Sequence, residues 1–284
     1  MVRAMNAPPL LTDRTALARN RARALRQAAP ALFLHDLVAL EAKERLSEVN
    51  KSFTTPAIVT PFPQVWADVL PDARIVADDD LLALEEGAHD LVIHALCLHW
   101  ANDPVGQLVQ CRRALRPDGL LMCFSFGGQT LSELRATIAE AEAALTGGLS
   151  PRVLPMGEIR DMGALLQRAG FALPVADSFS QTVRYRDALH LMADLRAMGE
   201  GNALAARLRR PTGRAVLAET ARRYGETFAD GEGRIPATFE IITLTGWAPH
   251  DSQQKPLRPG SAAARLAEAL QTAEVRLPAP RNDG

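Results

Sequence analysis

The fold is decided by the apolar run Asp90-Leu91-Val92-Ile93-His94-Ala95 and by a second run, Leu120-Leu121-Met122-Cys123-Phe124-Ser125-Phe126. Both runs are nearly continuous in apolar side chains, which is typical of strands buried on both faces of a parallel sheet. Between them the sequence predicts a helix over 104–115 and a turn at Arg116-Pro117-Asp118-Gly119. A strand, a helix and a strand in this order indicate one βαβ unit of an α/β protein.

The alternation of strands and helices continues on both sides of this unit. Further strands are predicted at 57–60, 74–77, 179–185 and 238–247. Further helices are predicted at 31–48, 64–70, 130–145, 161–169, 188–224 and 262–274. In the helix at 130–145, Thr130 and Glu133 have the spacing of a capping box, and Gly147-Gly148 follow its end. The sequence therefore predicts a doubly wound α/β sheet.

The composition narrows the class of protein. The 284 residues include 32 Lys+Arg and 33 Asp+Glu, so the formal net charge of −1 gives no general argument for nucleic-acid binding. Three cysteines without a CxxC pair favour free thiols in a reducing compartment, and no metal site is expected. No run approaches the roughly 20 apolar residues of a membrane span, and no secretory signal pattern is visible. We expect a cytoplasmic protein without a transmembrane segment.

The N-terminal part is unusually basic. Five arginines lie between Arg14 and Arg26, with no acidic residue among them. They are suited to an acidic partner, a lipid surface or a nucleic acid, or they form a solvated helix face. Residues 1–30 are interpreted as an N-terminal arm, and residues 31–284 as a single domain with a C-terminal tail at 248–284.

The predicted topology selects a candidate site. In an open parallel sheet, ligands bind beyond the carboxyl ends of the strands. Four loops meet that condition, at 60–63, 78–79, 94–100 and 126–129. Together they offer carboxylates, imidazoles, an aromatic side chain and glycines, which is the composition of a nucleoside pocket.

Several motifs resemble those of class I S-adenosylmethionine-dependent methyltransferases. They are Ala77-Asp78-Asp79, the run 90–100, the turn 115–119, the segment 126–135, Gly170-Phe171 and the tail 246–256, which is the most specific. Within that superfamily the sequence is most similar to the mitochondrial complex I assembly factors and their bacterial relatives, near the biotin-pathway malonyl-carrier methyltransferases. The likeness runs from Arg14 to Leu270 and is strong beyond Ile75.

The resemblance implies a Rossmann-like sheet whose last strand is antiparallel and follows a helical cap inserted at 186–230. It also implies S-adenosylmethionine as cofactor, with the acid at Asp78 accepting a hydrogen bond from the adenine amino group. The residues assigned to the cofactor are Thr60, Asp78, Asp79, His94, Ala95, Leu96 and Trp100. Phe126, Gly127, Gly128 and His250 are assigned to the acceptor. His99 is the candidate catalytic base, because an imidazole accepts protons near neutral pH.

Each of these assignments has an alternative. Asp78 could cap a turn, His94 could be an ordinary histidine at a strand end, and His99 and Trp100 could belong to the core.

The first cofactor motif of the superfamily departs from its usual form in this sequence. Class I methyltransferases carry an acidic, glycine-rich loop after the first strand, whereas this sequence has Val59-Thr60-Pro61-Phe62-Pro63-Gln64. It contains no glycine, and its two prolines lack N–H groups. Ile58 and Ile75 are separated by 17 positions, and one βαβ unit takes about 30 residues. We therefore expect one strand and one helix of the N-terminal half to be missing.

Two functions follow from this combination. The first is an S-adenosylmethionine-dependent methyltransferase-like protein that acts on a protein or a small-molecule acceptor. The second is a non-catalytic assembly factor or chaperone for a respiratory-chain (complex I) subunit. Hydroxylation of a protein side chain is a third, weaker hypothesis. The sequence leaves open whether the protein is an enzyme and what its oligomeric state is.

Overall fold

The computed structural model describes residues 10–253. Its strands are β1 (Pro56–Val59), β2 (Arg74–Val76), β3 (His89–Ala95), β4 (Leu115–Phe126), β5 (Ala172–Tyr185) and β6 (Ile235–Trp247). Its α-helices are α1 (Arg14–Leu25), α2 (Phe33–Glu48), α3 (Pro104–Ala114), α4 (Ser132–Thr146), α5 (Ile159–Arg168), α6 (Ala188–Ala197) and α7 (Arg214–Phe228).

The strands form one mixed sheet in the order β2-β1-β3-β4-β6-β5. Strands β1 to β4 pair in parallel, whereas β6 is antiparallel to both β4 and β5. The predicted Rossmann-like sheet with an antiparallel last strand is therefore confirmed, and α6 and α7 lie before that strand as the predicted helical cap. The part of the chain that the structure describes contributes six strands to this sheet, with β2 at its edge.

Two hydrophobic layers explain why the central strands are apolar throughout. In β3, Leu91, Ile93 and Ala95 belong to the core on the side of α2, α4 and α6. Val92 belongs to the core on the opposite side, with α3 and α5. Because successive side chains of a strand point to opposite faces, a strand covered by helices on both faces needs apolar residues at every position.

Three local predictions were wrong. The segment predicted as a helix at 64–70 forms only a short 3-10 turn, Pro63–Trp66. The predicted turn at 116–119 lies within β4, next to a shift in the register of β3 and β4. The helix predicted at 188–224 is divided into α6 and α7 by the loop 198–213, in which Gly199 has a φ of 82°. The helix predicted at 262–274 lies outside the described residues.

The predicted capping box at α4 was also wrong. The hydroxyl of Thr130 donates to the main-chain oxygen of Glu240, at 3.1 Å, and accepts from the Glu240 N–H, at 3.0 Å. The Glu133 carboxylate accepts from the hydroxyl of Thr238, at 2.5 Å. Both side chains of the motif therefore bind β6, and α4 begins at Ser132 without a side-chain cap.

Contacts between residues group the chain into two compact units, 1–249 and 250–284. The residues of the second unit that the structure describes are 250–253, in which the His250 ring lies 2.7 Å from the Ser252 hydroxyl. Within residues 10–253, none of the helices combines the length and the apolar character that crossing a membrane requires.

Candidate functional site

The carboxyl ends of β1 to β4 bring the four predicted loops to one edge of the sheet. Directly after β1, Thr60 is buried, and its N–H donates to the main-chain oxygen of Val76, at 3.0 Å. Its hydroxyl accepts from the Phe62 N–H, at 3.1 Å. In the described arrangement Thr60 thus stabilises the turn between β1 and the following segment.

Asp78, after β2, is bound by two arginines of α1. Arg21 Nη1 lies 2.7 Å from Oδ1 and 2.8 Å from Oδ2 of the carboxylate, and both side chains are buried. Arg14 Nη1 lies 3.4 Å from Oδ2, and the same guanidinium donates to the main-chain oxygen of Asp78. The neighbouring Asp79 carboxylate is exposed and lies 3.8 Å from Arg14. The acid that the resemblance assigns to adenine therefore already holds a partner from its own chain.

The Arg21 guanidinium is only partly satisfied. Burial by itself would lower its pKa, but the charge and the hydrogen bonds of Asp78 outweigh burial and raise the pKa. Its Nε and Nη2 atoms are buried without a hydrogen-bond acceptor among the described residues. Unsatisfied buried donors cost free energy, so this arginine reduces the net stability of the contact between α1 and the sheet edge.

Phe62 fills the space after β1. A glycine-rich loop at this position would leave that space open for a cofactor. Its side chain is fully buried, and its ring packs edge-on against His35 of α2 with 4.7 Å between the centroids. A Cβ on Gly199 would lie 3.4 Å from the Phe62 ring and 3.2 Å from Arg21, so the loop after α6 also presses on this segment. The described edge is closed by α1, Phe62 and this loop, and it does not fit the cofactor in the manner that the resemblance implies.

His94, at the end of β3, is tied into the core. Its Nε2 lies 2.8 Å from Gln107 Oε1, its Nδ1 lies 3.5 Å from Cys97 Sγ, and Gln107 in turn donates to the main-chain oxygen of Asp79. Burial lowers the pKa of His94 to about 4, so the ring is neutral near pH 7. This network connects the loop after β3 with the loop after β2.

The two residues after His94 are also buried. Ala95 ends β3, and Leu96 has a φ of 51°, an uncommon conformation for a side chain of that size. The Leu96 N–H donates to the main-chain oxygen of Phe124, at 3.0 Å, which fixes the sharp change of direction toward His99.

His99 and Trp100 converge on one carboxylate, that of Glu200. His99 Nε2 lies 3.3 Å from Glu200 Oε2, and Trp100 Nε1 donates to the same oxygen at 2.7 Å. Burial raises the pKa of Glu200, but the hydrogen bond and the charge of His99 outweigh burial and lower it. The Nδ1 atom of His99 is buried and has no hydrogen-bond partner among the described residues. The Glu200 carboxylate thus orients the His99 ring through Nε2, and Nδ1 takes no part in this contact.

Phe126, at the end of β4, packs its ring 4.8 Å from that of His99. Gly127 and Gly128 leave room for two carboxylates, because an added Cβ would collide with Glu240 Oε2, at 2.5 Å, or with Glu158 Oε1, respectively. Glu240 Oε2 accepts from the Gln129 N–H, at 2.9 Å. His250 belongs to the second unit, and its assignment to the acceptor remains a prediction.

A cavity of about 600 Å³ lies beside this edge, with Trp100, Phe126 and Glu200 in its wall. The rest of the lining comes from α1, α4 and the residues before it, the segment before α5, α6, the loop after α6, α7 and β6. Its volume falls in the range of about 300–1,000 Å³ that is typical of small-molecule sites. The candidate base and the cavity are therefore joined through Glu200 and Phe126.

Comparison with known proteins relates part of this chain to a described family. Residues 22–123 match the family model described as a methyltransferase domain. The chain contains a methyltransferase-family domain. The resemblance expected from the motifs is thereby confirmed.

The relatives of this domain are longer than the matched part. The chain is 39% identical over 202 residues to the mitochondrial arginine-hydroxylase NDUFAF5 of Danio rerio. The aligned part is 70% of this chain and 62% of that protein. It is 37% identical over 179 residues to the malonyl-[acyl-carrier protein] O-methyltransferase of Xylella fastidiosa (strain M23). The aligned part is 63% of this chain and 58% of that protein. Less than two thirds of each relative is therefore matched. Among solved structures, the YcgJ protein of Bacillus subtilis has a TM-score of 0.47 at 10% identity, over 75% of this chain and 98% of that one.

Sequence reasoning missed Arg21 and Glu200, two residues that shape the candidate site of this methyltransferase-family domain. A signal for Arg21 existed, because the five arginines at 14–26 have no acidic residue among them and three consecutive aspartates at 78–80 could pair with them. Glu200 had no such signal, since it lies 100 positions from Trp100 in an irregular loop.

Proposed function

We propose that this protein is an S-adenosylmethionine-dependent methyltransferase-like protein, with the cofactor at the carboxyl edge of the sheet and the acceptor in the adjacent cavity. The methyltransferase-domain match supports the activity. The observation that carries the location is the convergence of Asp78, the His99–Glu200 pair and the cavity wall at this one edge.

Cofactor binding requires α1 to move away from Asp78, and it requires Phe62 and the loop after α6 to leave the space after β1. The Arg21–Asp78 contact leaves two buried N–H groups of Arg21 without acceptors among the described residues, so its net free energy is smaller than two charge-assisted hydrogen bonds would suggest. A closed form that is only moderately stable lowers the apparent affinity of a ligand in proportion to the open fraction. We therefore expect α1 to act as a cover that opens and closes.

The chain's own residues have separate roles in this proposal. S-adenosylmethionine, when bound, supplies an activated methyl group. With α1 displaced, Asp78 would be free of Arg21 and would hold the adenine end of the cofactor. His99, whose Nε2 faces Glu200, receives a proton from the acceptor on Nδ1, the ring nitrogen that has no partner among the described residues.

A second candidate function is that of an assembly factor for a complex I subunit, without methyl transfer. It is favoured by the occupied Asp78 and the buried Phe62 after β1, together with the similarity to NDUFAF5. In this case, the contact of α1 is permanent, and a protein partner binds elsewhere on the surface.

Equilibrium dialysis of the full chain with radiolabelled S-adenosylmethionine separates the two candidates. The first predicts saturable binding that Asp78→Ala abolishes and that Asp80→Ala, a control at an exposed neighbouring carboxylate, leaves intact. Circular dichroism of each variant checks that it is folded. No binding at millimolar cofactor would contradict the first candidate and favour the second.

A further inference from the structure

The lining of the cavity is divided into a buried apolar part and an exposed basic part. Phe126, Leu134, Ile138 and Phe239 are buried and line its apolar side, with the partly buried Met192 beside them. The exposed part contains arginines from α1, α6 and the loop after α6. Such a division suits a ligand that has an apolar chain and a charged end.

The charges of the lining are strongly unbalanced. Among the described residues, five arginines line the cavity, namely Arg23, Arg152, Arg196, Arg207 and Arg210, against one carboxylate, that of Glu200. Arg152 is paired with Glu142, at 2.5 Å, and Arg207 with Asp13, at 2.9 Å. The Glu200 carboxylate is bound by Trp100 and His99.

The other three arginines lack such partners. Within residues 10–253, neither an ion pair nor a side-chain hydrogen bond is formed by Arg23, Arg196 or Arg210. A solvated helix face would explain exposed arginines on one helix. These three come from separate segments and converge on one opening, so they raise the electrostatic potential at the same place.

We propose that this cavity binds an anionic amphiphile, that is, a carboxylate or phosphate head group on a single apolar chain. The head group contacts Arg196 and Arg210, and the chain lies against Phe126 and Phe239. This inference goes beyond the proposed function: it names a class of ligand for the cavity and does not identify the methyl acceptor. A ligand with a guanidinium or ammonium head group is disfavoured, because it would meet like charges at the opening.

Isothermal titration without cofactor tests this proposal with four probes of equal chain length: decanoate, decyl phosphate, decanol and decylamine. We expect decanoate or decyl phosphate to bind at least about tenfold more tightly than decanol and decylamine. Which of the two anions binds better distinguishes a carboxylate site from a phosphate site. Equal affinity of all four probes, tighter binding of decylamine, or no binding of any probe would overturn the proposal.

Variants of the cavity lining distinguish the contribution of the head group to binding from that of the apolar chain. The double variant R196A/R210A should weaken decanoate binding at least about tenfold and leave decanol unchanged. Met192→Gln should weaken both. Arg234→Ala, an exposed arginine outside the cavity, is the matched control and should change neither. Unchanged decanoate affinity in the double variant would refute the site. Because no cofactor is present, this outcome is distinguishable from a failure of S-adenosylmethionine to bind.

Discussion

The Arg21 guanidinium of α1 contacts both carboxylate oxygens of Asp78, with Nη1 at 2.7 and 2.8 Å. Arg21 precedes the whole sheet in the chain, whereas Asp78 follows β2 at the edge where ligands of parallel sheets bind. This buried contact thus connects the N-terminal helix with the proposed cofactor site. We therefore expect the stability of this contact and the binding of the cofactor to be coupled.

Arg21→Ala should destabilise the protein by about 2–3 kcal/mol, because it leaves the Asp78 carboxylate buried with only the more distant Arg14. Urea unfolding measures this loss. Arg74→Ala, which removes an exposed pair with Glu85, is the control and should cost about 1 kcal/mol or less. A double-mutant cycle of Arg21→Ala and Asp78→Ala that shows a coupling below about 0.5 kcal/mol would count against the contact.

His35→Phe should reduce the dependence of stability on pH. Burial lowers the pKa of His35 from 6.5 to about 4. Between these values the unfolded state binds a proton that the folded state does not, so the free energy of unfolding falls as pH decreases from 6.5 to 4. The variant should remove up to about 3 kcal/mol of this fall. Urea unfolding at several pH values measures it.

In His35→Phe, the free energy of unfolding should depend less on pH, but the dependence should not disappear. Burial also lowers the pKa of His94 to about 4, and this residue is retained. Identical pH profiles for the two proteins would show that His35 is not buried as described.

Gly127→Ala should destabilise the protein by about 1–3 kcal/mol, because the new Cβ would lie 2.5 Å from Glu240 Oε2 and displace it from the Gln129 N–H. Gly225→Ala is the matched control within α7. There, apart from the neighbouring residues and the backbone of α7 itself, no described atom lies within 4 Å of the added Cβ, so alanine should stabilise the helix by about 0.5–1 kcal/mol. Thermal unfolding gives the midpoint temperature of each variant. Equal changes of this temperature in the two variants would contradict the described packing.

His99→Ala should lower the rate of methyl transfer by about 10²–10⁴-fold, as expected for the loss of a general base. Its effect on cofactor affinity should stay within about twofold, because the ring contacts Glu200 and Phe126 rather than Asp78. Single-turnover kinetics and binding measurements on the same preparation provide both values. Equal losses in rate and affinity would make His99 a wall of the pocket and not a base.

The central strands could be predicted from the sequence because their apolar runs reflect burial on both faces. Leu91 and Val92 belong to the cores on opposite faces of the sheet, so both neighbouring positions of the strand must be apolar. The capping box failed because Thr130 and Glu133 found partners in β6, more than 100 positions away. Local spacing carries no information about such tertiary hydrogen bonds.

The candidate site was predictable to a similar degree. The edge of the sheet and its loops follow from topology alone, and Asp78 and His99 were found on this basis. The partners that determine their chemistry, Arg21 and Glu200, come from segments 57 and 101 positions away. A pair of opposite charges at such separations is one of many that a sequence allows, and only the packing of α1 and the loop after α6 selects it.

The affinity of S-adenosylhomocysteine for the wild-type chain and for the R14A/R21A variant, measured by isothermal titration, tests most directly whether α1 covers the cofactor site. We predict that the variant binds at least about tenfold more tightly, because Asp78 is released, and that adding Asp78→Ala to it abolishes this gain. Equal affinity in the two proteins, or weaker binding by the variant, would contradict the proposed role of α1 as a cover.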